Sequence, residues 1–422
     1  MTQSIKNKGW TVTLAGIGIN LALGILYTWS IFKNAIRQSI ETGGPGAFDW
    51  DIASLNDPYA VCCIVFAFAM ILAGKCQDKI GPGITALIGG ILVGIGFIWV
   101  SQSTNYWSWV IGFGLIAGTG IGFGYSSATP PALKWFPPSK TGLIAGLVVS
   151  GFGLASVYSA PLAKFLLDRW GLQTAMFCFG IAFLIVVSIL STMLRNPPKG
   201  YIPDGVPAPG GKKNIPLPTD NEFTALEMMK TPAFYIIWVI YFIGAGAGLM
   251  VIGSIAGMAK GSMGDMVFLV VAIMAIGNAG GRIFAGVLSD KIGRSHTLAL
   301  MLSLQCVLML ISIPFMRDSS SAFVLILLTT FIGFNYGTNL SLFPSFTKDF
   351  WGLKNFGINY GIIFTAWGVG GFVLSRFSQM LFAKTGNYTF SFLSAAILLF
   401  IGILLTFTLK HKEVQNTTMI KP

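Results

Sequence analysis

Twelve long apolar runs constrain this chain more than anything else in it. A bilayer core of roughly 30 Å needs about 20 apolar residues per helix. Runs of that length fall at about 10–32, 52–74, 83–101, 107–129, 141–164, 172–194, 233–254, 265–288, 296–316, 321–343, 357–382 and 389–409. Short loops join them except at 195–231, a polar stretch that holds Pro197, Pro198, Pro203, Pro207, Pro209, Pro216 and Pro218. The expected fold class is therefore an all-α membrane protein of twelve transmembrane helices in two pseudo-symmetric six-helix bundles. The first bundle covers 1–194, a cytoplasmic linker 195–231, and the second bundle with a cytoplasmic tail 232–422. Thr219-Asp220-Asn221-Glu222 reads as a capping box that opens a short helix to Lys230.

Composition narrows the function classes. Only 10% of residues are charged, where a soluble domain carries about a quarter. That excludes a soluble enzyme, a nucleic-acid binder and a disordered chain. The net charge of +12 then reports loop topology rather than DNA binding. The five cysteines (Cys62, Cys63, Cys76, Cys178 and Cys306) form neither a metal spacing nor a disulfide framework. His296 and His411 both fall outside the apolar runs, so buried histidine chemistry is excluded. No cofactor and no metal is expected.

With the N-terminus in the cytoplasm, eighteen of the 27 lysines and arginines fall on the cytoplasmic side, eight on the other, and Arg282 lies within a run. This positive-inside bias predicts that both termini and the linker are cytoplasmic. The run after Lys6 and Lys8 is too long for a signal peptide and has no cleavage site after it. An internal repeat supports two halves: Gly74-Lys-Cys-Gln-Asp78-Lys-Ile-Gly81 recurs 212 residues later as Gly286-Val-Leu-Ser-Asp290-Lys-Ile-Gly293-Arg294. This turn resembles the cytoplasmic loop signature of the major facilitator superfamily. The resemblance implies two six-helix bundles, a substrate site between them near the midplane, and alternating access by rocking. Gly74, Asp78, Gly81, Gly286, Asp290 and Arg294 are then expected to form the gating turns.

An ionisable side chain at bilayer depth costs about 2.5–3.5 kcal/mol on insertion scales, so it marks function by default. Arg282 is the only basic residue deep in a run. It lies eight residues before Asp290, roughly 12 Å in from the cytoplasmic end at 1.5 Å per residue. No acid lies one turn away on that helix, but Asn278 does, at i−4. Asp57, near the outer end of the second run, is at the wrong depth. The bland reading is an arginine pinned by carbonyls or by an acid elsewhere. The sharper reading is an anion site, because the planar guanidinium donates two parallel hydrogen bonds to a carboxylate. One uncompensated cation neutralises one carboxylate. A dianion would leave a second charge in a low-dielectric cavity at several kcal/mol, so a monocarboxylate is favoured.

Aromatic residues gather at mid-depth: Leu26, Tyr27 and Trp29 in the first run, Tyr125 in the fourth, Tyr336 with Leu340 four residues on in the tenth, and Phe364 with Trp367 in the eleventh. Singly, each is best read as packing. A phenol can also donate to a carboxylate while its ring packs an alkyl chain. The glycine ladder from Gly112 to Gly124 reads as helix packing.

Further motifs are similar to those of the oxalate/formate antiporter family: Gly24-Ile-Leu-Tyr-Thr-Trp-Ser30, Lys134-Trp-Phe-Pro137, Glu227-Met-Met-Lys-Thr-Pro232, Arg282 through Arg294, and Asn359-Tyr-Gly361. The family includes a bacterial proton-coupled lactate transporter and is related to the animal monocarboxylate transporters. The resemblance implies that Arg282 binds the carboxylate and that Tyr27, Tyr125 and Phe152 line the cavity. Tyr336 and Leu340 fall where the family's oxalate exchanger has Trp and Tyr. Trp367 replaces that exchanger's second cation, a lysine. Asn278 stands where the animal transporters place an aspartate beside their arginine, which puts an arginine–aspartate proton switch in doubt.

The expectation is thus a secondary transporter, not an enzyme, for a small lactate- or pyruvate-like monocarboxylate in the cytoplasmic membrane. It is expected to be a monomer in a lipid bilayer, with a proton as the coupled partner and no nucleic acid. Leu26, Leu340, Phe364 and Trp367 are expected to enclose the methyl end. The alternatives are a carboxylate:formate-type exchanger and a carboxylate-sensing receptor. Efflux of organic cations is disfavoured because the one deep charge is positive. An enzyme is disfavoured because no nucleophile–base pair or metal cluster lies at depth.

Overall fold

In lipid every backbone polar group must be paired internally, so an apolar run that crosses the membrane winds into a helix. The computed structural model describes residues 7–198, 200–203, 222–263, 267–315 and 321–409, and among these all regular structure is helical. The helices are α1 (Gly9–Thr42), α2 (Asp57–Ile80), α3 (Pro82–Val100), α4 (Tyr106–Trp135), α5 (141–170) and α6 (172–191). The second half continues with α7 (Pro232–Met263), α8 (Val267–Ile292), α9 (Arg294–Phe315), α10 (Ala322–Trp351), α11 (Phe356–Thr385) and α12 (Thr389–Thr406). Helices α5 and α6 run on from one another and are separated only at Gly171, with φ 77° and ψ 176°. Glycine adopts that left-handed backbone without steric cost. The twelve expected crossings are all helical.

Several helices outrun their apolar stretch. Helix α1 reaches Thr42 rather than 32, α4 reaches Trp135 rather than 129, and α10 reaches Trp351 rather than 343. Hydropathy marks only the part that meets lipid. Beyond it the helix continues on local interactions such as the i,i+4 pair of Arg37 Nε with Glu41 at 2.9 Å. Large apolar side chains, among them Leu72, Ile95, Ile189, Phe284 and Leu404, stand exposed around the outside. Soluble monomers rarely show so much apolar surface; here it faces lipid.

Helix α1 packs on α4 and α5, α2 on α4, and α3 on α4 and α6. In the second half α7 packs on α10 and α11, α8 on α10, and α9 on α10 and α12. The halves meet where α2 lies along α11 and α5 along α8. The glycine ladder of α4 serves close packing as read: Gly120 faces the Gly89 carbonyl of α3, and Gly122 the Phe66 carbonyl of α2. Within α1, residues Gly24–Thr28 tighten into a 3₁₀ turn. A Cβ on Gly24 would sit 2.5 Å from the Phe152 carbonyl of α5. This crossing sets Leu26 and Tyr27 at the junction of the halves.

The linker expectation needs correction. Residues 219–221 lie outside the described residues, and the short helix there is Ala225–Met229, capped by Thr224 and Glu227. The Thr224 amide and hydroxyl each donate to Glu227 at 2.8 Å. These bonds hold the carboxyl below its ordinary pKa. The preceding residue is tied to the second half: Asn355 and Asn359 donate to the Phe223 carbonyl at 3.1 and 3.0 Å.

The two glycine sites make different predictions. Gly24→Ala drives a methyl into a backbone carbonyl, whereas nothing lies within 4 Å of a Cβ on Gly171. Gly171→Ala costs only the positive-φ backbone, about 1–3 kcal/mol. Thermal unfolding of the detergent-solubilised protein should show the larger drop in Tm for Gly24→Ala.

Candidate functional site

One end of the interface between the halves is tied shut by the repeated turn. Asp78, at the end of α2, accepts hydrogen bonds from the Gly357 and Ile358 amides at 3.3 and 3.1 Å. Asp290, at the end of α8, accepts from the Gly142 and Leu143 amides, both at 2.9 Å. Each carboxylate thus caps the N-terminus of a helix in the opposite half, where the helix dipole favours a negative charge. Gly74 and Gly286 pack so closely on Gly357 and Gly142 that a Cβ on either would meet backbone. Gly81 and Gly293 turn the chain with φ of 93° and 90°. Arg294 braces the second turn within its own half, donating to Asp290 at 2.6 Å and to Asp349 at 2.9 Å. The first copy has Pro82 at that position and lacks the brace. A second repeat, missed in the sequence, lies beside the turns: Pro130…Lys134 in α4 and Pro344…Lys348 in α10 share one spacing. The Lys348 ammonium donates to the Thr141 hydroxyl of the first half.

At the opposite end a cavity of about 760 Å³ opens between the halves. Its charged lining is Lys33, Arg37 and Arg376 against Asp57, a balance that draws anions inward. Asp57 sits at the mouth, where it accepts from the Tyr106 hydroxyl at 2.8 Å. Leu26, Tyr27 and Trp367 line the inner part of the cavity, with Leu249 and Met274.

Arg282 lies two turns beyond Met274 along α8, about 12 Å deeper at 1.5 Å per residue. It is fully buried, and among the described residues it is the only charged side chain in the buried core. Its Nε donates to Asn278 Oδ1 at 3.0 Å, the i−4 contact expected, and Nη1 donates to the Val149 carbonyl of α5. Nη2 has no partner. A Cβ on Gly153 would lie 3.2 Å from the Arg282 Nε, so this glycine leaves room for the guanidinium. Backbone pinning and a free donor therefore coexist in one side chain.

Above the guanidinium the Tyr27 and Tyr336 hydroxyls pair at 2.9 Å, and the Trp367 indole donates to Tyr336 at 2.8 Å. Indole and guanidinium nitrogens can only donate. The two hydroxyls share one hydrogen between them, so one O–H is left over, together with Arg282 Nη2. These two donors suit a group that accepts.

Of the residues singled out in the sequence, Leu26, Tyr27 and Trp367 line the open cavity. Arg282, Asn278, Tyr125, Tyr336, Leu340, Phe152 and Phe364 are buried beneath it. Ring contacts bring most of them together: Tyr27–Phe152 at 5.3 Å, Tyr125–Phe152 at 5.4 Å and Phe364–Trp367 at 5.0 Å. Sequence reasoning missed Phe66, which meets Tyr125, Phe152, Phe364 and Trp367 at 5.2–5.9 Å and so joins both halves. A signal was present. Tyr59, Cys63 and Phe66 share one face of α2 at helical spacing, and the first two line the cavity. Tyr241 and Tyr360, buried near Tyr125, were missed as well.

The sequence profile of the Major Facilitator Superfamily matches residues 10–373 and 237–421. The oxalate:formate antiporter of Oxalobacter formigenes is 26% identical over 86% of this chain and 82% of its own. Monocarboxylate transporter 13 of Bos taurus is 24% identical over 98% and 92%. Among solved structures, the transporter FucP of the same superfamily, captured in an outward conformation, superposes with a TM-score of 0.63 at 14% identity, over 92% of this chain and 98% of its own.

The tied end generates a prediction. Hydrogen bonds to a charged group contribute about 1.5–3 kcal/mol each, and Asp78→Ala with Asp290→Ala removes four of them. The closed end should open and the far cavity narrow. In a variant whose only exposed thiol is Cys63, a cavity-lining residue, alkylation should slow at least severalfold.

Proposed function

We propose a substrate for this chain, which belongs to the Major Facilitator Superfamily and is a multi-pass membrane transporter: a small monocarboxylate, lactate- or pyruvate-like, carried by alternating access. The observation that carries this reading is the buried, uncompensated Arg282 with its unpartnered Nη2. A buried charge without a partner costs several kcal/mol, and one carboxylate removes that cost. The lysine and arginine bias puts the tied end in the cytoplasm, so the cavity faces outward across the cell membrane.

The anion is drawn through the basic mouth to the floor. There it takes hydrogen bonds from Arg282 Nη2 and from the spare hydroxyl of the Tyr27–Tyr336 pair. Leu26 and Trp367 cover the alkyl end, with Leu340 and Phe364 behind them. Asn278 holds the guanidinium in register. Once the charge is neutralised, the cavity can close without burying a lone cation, and the bundles 1–194 and 232–422 rock about the α2–α11 and α5–α8 contacts. Oxalate:formate exchange belongs to the relative of that name; here Trp367 offers no second cation for a dianion. The coupling we propose is proton symport, with the proton carried on the substrate or through Asp57.

Anion exchange is the second reading. It is favoured by the donor-rich floor, which selects carboxylate over carboxylic acid, and it needs no proton site.

Uptake of labelled L-lactate into proteoliposomes, with and without an inward proton gradient, tests both. Symport predicts stimulation by the gradient; exchange predicts stimulation by internal lactate or formate instead. Arg282→Ala should lower either by at least 100-fold, in line with about 3–5 kcal/mol for breaking a buried charge pair. Undiminished uptake would overturn the site. Trp367→Lys adds the missing cation and should raise oxalate uptake while lowering that of lactate.

A further inference from the structure

On the tied side of Phe364 three tyrosines converge. Tyr125 comes from α4 of the first half, Tyr241 and Tyr360 from α7 and α11 of the second. Their rings surround Phe364 at 5.4, 6.1 and 5.8 Å. All three are at most 3% exposed. The Tyr360 hydroxyl is close enough to interact with those of Tyr125 and Tyr241, while the three have no well-formed hydrogen bond to any other group among the described residues.

Buried hydroxyls are nearly always satisfied, and an unpartnered one costs about 1–3 kcal/mol. Three phenols joined in a chain through Tyr360 use two of their O–H groups on one another and leave one over, which calls for an acceptor in another state. Their position along α11 says which state. Trp367 faces the open cavity, Phe364 lies one turn deeper, and Tyr360 about 10 Å below Trp367 at 1.5 Å per residue. Below Tyr360 the unpartnered groups continue: the Asn359 side-chain oxygen and both polar atoms of Gln77, next to the Asp78 cap. Unsatisfied polarity therefore runs from Arg282 to the tied end, with Phe364 set into it as an apolar plug.

We propose that Tyr125, Tyr241 and Tyr360 form a second carboxylate station, on the tied side of Phe364, which the anion occupies on its way between Arg282 and the cytoplasmic end. This rests on the carboxylate reading above. The chemistry matches: a carboxylate accepts about four hydrogen bonds, and three phenols supply charge-assisted donors. No cation among the described residues bonds to these phenols, though the Arg282 charge reaches Tyr125 and Tyr241, so the station holds the anion more weakly than Arg282 does. Transit requires that kind of site, favourable enough to enter and weak enough to leave. The donors come from both halves, so the rocking that loosens the tied end also changes how they converge. Stacking of Tyr241 on Phe343 at 3.9 Å and of Tyr360 on Phe356 at 5.6 Å keeps these phenols in place.

The test uses Tyr241→Phe with Tyr360→Phe, which removes two hydroxyls and keeps the rings. Lactate uptake is measured in right-side-out and inside-out membrane vesicles. The double variant should raise the half-saturating concentration at least tenfold in inside-out vesicles, and leave it within twofold in right-side-out vesicles. Equal shifts on both sides would assign the tyrosines to the floor or to folding, and no shift on either side would remove the station. Wild-type vesicles and Arg282→Ala are run in parallel. If the wild type moves none of lactate, pyruvate, acetate and formate, or if Arg282→Ala is unimpaired, the carboxylate site itself fails and the station with it. Loss of the inside-out effect alone leaves that site standing.

Discussion

A guanidinium with no counter-charge among the described residues, sealed between two halves of a membrane protein, is the feature around which the rest of the centre is arranged. Two of the Arg282 nitrogens are spent on Asn278 and on the Val149 carbonyl, one from its own helix and one from the opposite half. That fixes the plane of the third nitrogen and couples α8 to α5 at the depth of the site. Glycine at 153 gives this placement room, since a Cβ there would lie 3.2 Å from the Arg282 Nε. The floor above it leaves one more O–H to donate, so the centre is matched to an acceptor.

The two ends of the molecule treat the interface in opposite ways. The tied end uses four backbone amides and two carboxylates, related by the internal repeat. The symmetry is imperfect in a physical sense: only the second copy has an arginine, which braces Asp290 and Asp349 within its own half. The cavity end has aromatic and basic residues and, among the described residues, no comparable ties. Between them Phe66 and Phe364 form an apolar septum contributed by α2 and α11. Polar groups on its tied side are left without partners. A state that closes one end by packing polar walls against each other carries a cost that the opposite state relieves, a simple basis for a two-state carrier.

Much of this could be read from residue order. The helix count, the long linker, the paired turns and the depth of Arg282 follow from run lengths and spacing. The i−4 relation of Asn278 to Arg282 is a property of any helix, and the structure has it as a hydrogen bond. Helix ends were less legible, because hydropathy reports lipid contact rather than hydrogen bonding; hence the extensions of α1, α4 and α10. The linker cap was misplaced because polar residues near a helix start offer several equivalent boxes, and packing of Met228 and docking of Phe223 select one of them.

The sequence by itself determined which residues can sit in lipid, how many crossings there are, and that one positive charge must be accommodated at depth. These are local consequences of side-chain transfer energies and of the fixed rise of a helix. Only the tertiary structure decided which groups meet. Tyr27 pairs with Tyr336 across 309 residues, and Phe66 joins rings from both halves. The Tyr125, Tyr241 and Tyr360 hydroxyls face one another from three helices. Such contacts depend on how helices rotate and cross, set by close approaches such as Gly24 on Phe152 and by the sum of many weak packing terms. No single residue's spacing encodes them.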